Sequence, residues 1–96
     1  RVGVGTTIKN SLLIGADHYE TLAEMNASVT RGVPPLGIGS ESVIENAIID
    51  KNARIGRGVR LVNEKGVREM DAEGYYVREG LIIVPKNGIV HDGMIV

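Results

Sequence analysis

Aliphatic residues recur along this chain at intervals of six, separated by short polar or glycine-containing steps. Val2, Ile8 and Ile14 form one series, Ile49, Ile55 and Leu61 a second, and Ile83, Ile89 and Ile95 a third, with Gly3, Gly15 and Gly56 each following an aliphatic. A helix would repeat every 3.6 residues and a half-buried strand every two. A six-residue period fits neither, but it fits a short strand plus a corner, the unit of a parallel β-helix. There the aliphatic side chain points inward, and Gly, Asn or Asp tolerates the corner backbone. Three hexads close a triangular coil stacked about 4.8 Å from the next. The stretch "IIDKNARIG", residues 48–56, then reads as strand, corner, strand. The polar residues of "DKNAR" face solvent, while Ile49, Ala53 and Ile55 stay in the core and Val59 is a further inward candidate.

The expected fold is therefore all-β: a left-handed parallel β-helix built from hexapeptide repeats and carrying two inserts. Five-residue steps from Thr6 to Ser11 and from Ile44 to Ile49 slip the register in the first two segments. An antiparallel pairing of the same aliphatics would require strict alternation, which "VRLVNE" partly offers. The period shared by three separate segments favours the coil.

Residues 20–37 and 63–80 interrupt the hexads. In the first insert, Thr21 and Glu24 have capping-box spacing, Leu22, Met25 and Val29 share one helical stripe, and Gly32 occupies the stop position. These features predict a short helix. "VPPLG" returns the chain in extended form, since each proline fixes its own φ and biases its predecessor away from helix. The second insert carries eight charged residues without a firm period. It reads as a surface loop that lays Tyr75 and Tyr76 back onto the coil wall, with room for a short strand at "YYVRE".

Composition narrows the picture. Ninety-six residues allow one domain, and with 43% hydrophobic residues but no Phe or Trp, its core must be built from Ile, Val and Leu. A net charge of −1 argues against a nucleic-acid or membrane-surface footprint. No apolar run approaches the roughly 18 residues of a membrane span. The absence of cysteine excludes disulfides and thiolate metal sites. A chain that opens at Arg1, already inside a Val-Gly beat, suggests a segment of a longer protein.

Candidate chemistry is sparse. "VGVG" and "GIGS" lack the third glycine of a dinucleotide loop and read as coil corners. Asp17, His18 and Glu20 cluster in "GADHYE", and His91 adjoins Asp92, but neighbouring strand residues point to opposite faces. Surface or loop-anchoring roles are expected for them rather than metal ligation. Lys51, Arg54, Arg57 and Arg60 are spaced three apart, and Lys86 lies in a later corner. Such cations hold a phosphorylated small molecule in one reading and keep coil corners solvated in another.

The stretches "IGADHYET", "GIGSESVIENAIIDKNARIG" and "EGYYVREGLIIVPKNGIVHDGMIV" resemble the C-terminal β-helix domain of glucose-1-phosphate adenylyltransferase of the plant and cyanobacterial type. The resemblance covers essentially the whole chain, residues 1–96, including both inserts. It implies that a nucleotidyltransferase domain outside this chain joins ATP to glucose 1-phosphate with Mg2+, that this part catalyses nothing alone, and that it needs no cofactor of its own. It further implies a homo- or hetero-tetramer, a cytoplasmic or plastid-stromal setting, and an allosteric site for 3-phosphoglycerate and phosphate between the two domains. No nucleic-acid or membrane partner is expected. Carried over by position, Lys51 and Lys86 are the expected effector contacts, with Arg54 in the same motif. Pro85 and His91 depart from the family's usual residues at the last corner. A hexapeptide-repeat acyltransferase, with a histidine base in a groove between subunits, or a purely structural module are the alternatives.

Overall fold

The computed structural model describes residues 2–16 and 20–96, and its strands wind into a three-faced prism. The first face stacks Val2, β3 (Gly37–Ile38), β6 (Arg54–Ile55) and β11 (Ile89–Val90). The second stacks β1 (Thr7–Lys9), β4 (Val43–Glu45) and β7 (Arg60–Leu61), with a bridge from Arg60 to Ile95. The third stacks β2 (Leu12–Leu13), β5 (Ala47–Ile49) and β10 (Leu81–Val84). All these pairings between coils are parallel. One rung of the first face shows how the backbone is satisfied: Gly3 N–H donates to the Ile38 carbonyl, Gly39 to Ile55 and Gly56 to Val90, at 2.7, 2.9 and 2.8 Å.

The core is a set of aliphatic columns. Ile38, Ile55 and Val90 form one, Ile44 and Leu61 a second, and Ile49 and Val84 a third, all buried. An inner row of smaller residues, Ala47, Ala53 and Val59, fills the space beside them. Ser42 also lies in this row, fully buried. Its hydroxyl donates to the Gly56 carbonyl at 3.1 Å and accepts from Val59 N–H at 3.2 Å, which removes the cost of a polar atom in the core.

The five-residue steps cause no misalignment because they fall at one corner in successive coils. Asn10 and Asn46 both turn there with left-handed φ values of 46° and 50°, conformations that asparagine tolerates. Two of the expected aliphatic series need correction. Leu13, not Ile14, faces the core in the first coil. In the last series the inward residues are Val84 and Val90, with Val96 packed half-buried, whereas Ile83, Ile89 and Ile95 point outward. Both columns of "LIIV" are aliphatic, so the six-residue period by itself did not distinguish inside from outside.

The first insert contains α1 (Leu22–Thr30), with the expected capping box: Thr21 Oγ1 accepts from Glu24 N–H, and Glu24 Oε1 accepts from Thr21 N–H, each at 3.1 Å. Gly32 follows the helix with φ of 74°. The apolar stripe is only partly turned inward, with Met25 half-buried. Leu22 and Val29 are 73% and 62% exposed, and the helix turns Ser28 inward instead. Thr21→Ala is expected to cost about 0.5–2 kcal/mol of helix stability, read as a loss of far-UV helical signal in this insert on mild heating.

The second insert is a β-hairpin rather than a loop, and one of its strands falls within the expected "YYVRE". β8 (Glu69–Ala72) pairs with β9 (Tyr75–Arg78), and β9 pairs with β10, both antiparallel, extending the third face to five strands. Asn63 anchors it, donating to the Val67 and Gly80 carbonyls at 2.8 and 3.0 Å and accepting from Val67 N–H at 2.9 Å. Tyr75 packs against the core and Tyr76 points outward beneath the Arg78 guanidinium, 4.9 Å from the ring centre.

Candidate functional site

The corner where the third face meets the first carries both predicted lysines. Strand β5 ends at Ile49. Asp50 Oδ1 then accepts from Lys51 N–H at 2.6 Å, and Asn52 makes the turn with φ of 59°. One coil further on, β10 ends at Val84, Pro85 opens the corner, Gly88 N–H donates to the Pro85 carbonyl at 2.8 Å, and Asn87 turns with φ of 62°. The two corners are stacked: Asn87 N–H donates to the Lys51 carbonyl at 3.0 Å. Ile49 pairs with Val84 and Arg54 with Ile89, the same 35-residue offset that joins Arg57 to Asp92, so Lys51 and Lys86 occupy equivalent rungs. Adjacent rungs are separated by about 4.8 Å.

Lys51 is half-buried and Lys86 exposed, and their backbones stand at the same corner of adjacent coils.

Arg54 is occupied differently. Its guanidinium Nη1 lies 3.1 Å from Glu20 Oε2, 3.3 Å from Ser28 Oγ and 3.0 Å from the Pro34 carbonyl. Glu20, whose side chain is 4% exposed, also accepts from Leu36 N–H. Arg54 is therefore the pin that holds the helical insert over the first face. Of the "GADHYE" cluster, Asp17 and His18 lie outside the described residues, and Glu20 has the loop-anchoring role expected of it. No group of three or more potential metal ligands occurs among the described residues.

The cations spaced three apart do not gather. Lys51 stands on one corner, Arg54 on the first face, Arg57 on the next corner, and Arg60 on the second face, where it pairs with Glu64 at 2.8 Å. Three residues is half a hexad, so successive cations step around the prism instead of along it.

A groove of about 490 Å³, not apparent from the sequence, lies between the helical insert and the corner of the first and second faces. Val33, Pro34 and Pro35 wall one side, and Arg57, His91 and Asp92 the other. Asp92 Oδ1 accepts from Arg57 N–H at 2.9 Å, so the carboxylate serves as a backbone clamp. At the far edge of the third face, a hydrogen bond to Asp71 raises the Arg78 pKa above its ordinary value, with the charges of Asp71 and Glu69 contributing less.

Residues 1–95 match the family model described as the GLGC left-handed parallel beta-helix domain. The chain belongs to this family. The coils of this GLGC-type domain accordingly wind left-handed, as the hexad reading expected. Among similar proteins is the large subunit 1 of glucose-1-phosphate adenylyltransferase, chloroplastic/amyloplastic, from Zea mays, 44% identical over 98 residues. The match covers 100% of this chain and 19% of that protein, so the domain spans about a fifth of its relative's length.

Proposed function

We propose that this domain is the regulatory and assembly part of a glucose-1-phosphate adenylyltransferase, which converts ATP and glucose 1-phosphate to ADP-glucose and pyrophosphate for glycogen or starch synthesis. Catalysis and Mg2+ binding belong to the remaining four-fifths of such a protein. The observation that carries the regulatory part is the stacking of Lys51 on Lys86 at one corner of adjacent coils. Residues 35 apart share this corner because the second insert leaves and rejoins the prism without disturbing the ladder.

The lysine corner contributes two positive charges to a site for phosphorylated effectors, 3-phosphoglycerate and phosphate, that the catalytic domain completes. Effector binding then biases the enzyme by its different affinity for two arrangements of the domains. Arg54 supports the site indirectly, by fixing the insert beside it. The open ends of the prism suit subunit contacts in a homo- or hetero-tetramer. No described helix is long and apolar enough to cross a membrane, and the plastid label of the maize relative makes the stroma the proposed setting for a plant enzyme.

In the full-length enzyme, Lys86→Glu is expected to raise the 3-phosphoglycerate concentration for half-activation by about 10-fold or more. A charge-assisted contact contributes about 1.5–3 kcal/mol, and 1.4 kcal/mol corresponds to a factor of ten. Turnover without activator is expected to stay close to that of the parent. An activation curve identical to the parent's removes Lys86 from the site and leaves the domain a structural module.

A further inference from the structure

The groove beside the helical insert has an apolar wall and a charged end. Val33 and Pro35 stand half-buried along the wall, and Val29, 62% exposed on α1, extends it. The wall is held in place from behind: the Pro34 carbonyl accepts from Arg54 Nη1 at 3.0 Å, and Val33 N–H donates to the Ser28 carbonyl at 2.9 Å. A ligand entering such a groove has little to order. At the other end stands Arg57. The guanidinium groups of Arg54, Arg60 and Arg78 each pair with a carboxylate. That of Arg57 pairs with none among the described residues, and the neighbouring Asp92 Oδ1 is engaged by the Arg57 backbone N–H instead.

We infer that this groove binds an organic monocarboxylate with a compact apolar body, at a site separate from the lysine corner. The inference goes beyond the regulatory reading and does not depend on it, since the groove borders the corner of the first and second faces, whereas Lys51 and Lys86 occupy the corner of the third and first. A volume of about 490 Å³ suits a small molecule. The guanidinium fork matches the two oxygens of a carboxylate, and the body of the ligand removes Val29, Val33 and Pro35 from water. His91, at the same end, adds a ring nitrogen able to hydrogen-bond the carboxylate. Asp92 sets the charge the groove accepts. One negative charge on the ligand is balanced by Arg57, while a second would face the Asp92 carboxylate with no further cation lining the groove beyond His91, so a monocarboxylate is favoured over a phosphate dianion.

The test titrates the full-length protein with phenylacetate, followed by ligand-observed saturation-transfer NMR. The parent is expected to show a saturable site that Arg57→Gln weakens about 10-fold or more, as the loss of a charge-assisted contact requires. Arg57→Lys, which keeps the charge and loses the fork, is expected to weaken it less. Val29→Glu, at an exposed position, is expected to weaken it as much as Arg57→Gln without moving the thermal midpoint. Phenylacetamide, which has the same ring and no charge, is expected to bind at least 10-fold more weakly than phenylacetate, and inorganic phosphate is expected not to displace phenylacetate at equal concentration. Lys86→Glu is expected to bind phenylacetate as the parent does, and Arg57→Gln to keep the parent's response to 3-phosphoglycerate. Absence of a saturable site in the parent, or equal affinity in parent and Arg57→Gln, overturns the site. Displacement by phosphate overturns the choice of a monocarboxylate, and loss of phenylacetate binding in Lys86→Glu overturns the separation from the lysine corner.

Discussion

Replacing Arg54 with alanine is expected to free the helical insert from the prism at a cost of about 3–5 kcal/mol, the range for breaking a buried ion pair by removing one partner. The cost is this large because of what remains. Glu20, whose side chain is 4% exposed, would lose its ion-pair partner and retain the Leu36 amide as a hydrogen-bond donor. Ser28 Oγ and the Pro34 carbonyl would lose the same donor. The loss should be local. The stacked coils keep their own ladder, so hydrogen exchange at Val33, whose amide donates to Ser28, should accelerate while exchange at Gly39 and Gly56 stays slow. The Glu20→Ala, Arg54→Ala double variant is expected to be less destabilised than the two single changes summed, because no buried charge is stranded. Equal exchange rates at Val33 in parent and Arg54→Ala would show that the pin does not hold the insert.

Ile55→Ala is expected to destabilise the whole prism by about 2–5 kcal/mol, a large share of the 5–15 kcal/mol that holds a typical domain together. Ile55 is fully buried at the middle of its column, with Ile38 on one side and Val90 on the other. Its removal opens a cavity between two rungs whose spacing the backbone ladder sets, so the coils cannot close over it. For a chain of this size the midpoint should fall by about 4–8 °C for each kcal/mol lost. The control is Ile95→Ala. That residue is 67% exposed at the end of the prism, and its truncation should move the midpoint little. A similar shift for both variants would contradict the column description.

The two variants test different layers of the architecture. Ile55 acts through coil stacking, which gives the prism its length and sets Lys51 over Lys86. Arg54 acts through the insert, which it holds over the first face.

Legibility varied along the chain for physical reasons. The central series Ile49, Ile55 and Leu61 was correctly placed because Arg54 and Gly56 flank Ile55 and Arg60 precedes Leu61, which marks the inner side of those strands, and the six-residue step then carries the assignment back to Ile49 beside Ile48. The last series was shifted by one residue because "LIIV" is aliphatic on both sides. The capping box was legible because it is local chemistry within one turn. The direction the helix faces was not, because a single guanidinium 24 positions beyond the end of α1 chose Ser28 over the Leu22 and Val29 stripe. Half of the hairpin was legible, since "YYVRE" has room for a strand and contains β9, but its partner β8 was not, because "EMDA" alternates charged and apolar residues over only four positions, too short a run to stand out among eight charges.

The amino-acid order by itself determined the coil. Inward aliphatics at steps of five or six, and corners that accept asparagine or glycine, are properties of short segments and need no knowledge of what lies elsewhere. Which distant residues share a corner was decided by tertiary structure alone. Lys51 meets Lys86, and Asp92 clamps Arg57, through a stacking offset that includes the hairpin and that no local pattern encodes. The backbone ladder between coils sets that offset, because each N–H must find a carbonyl one rung away, and the side chains at the corners are carried into register with it.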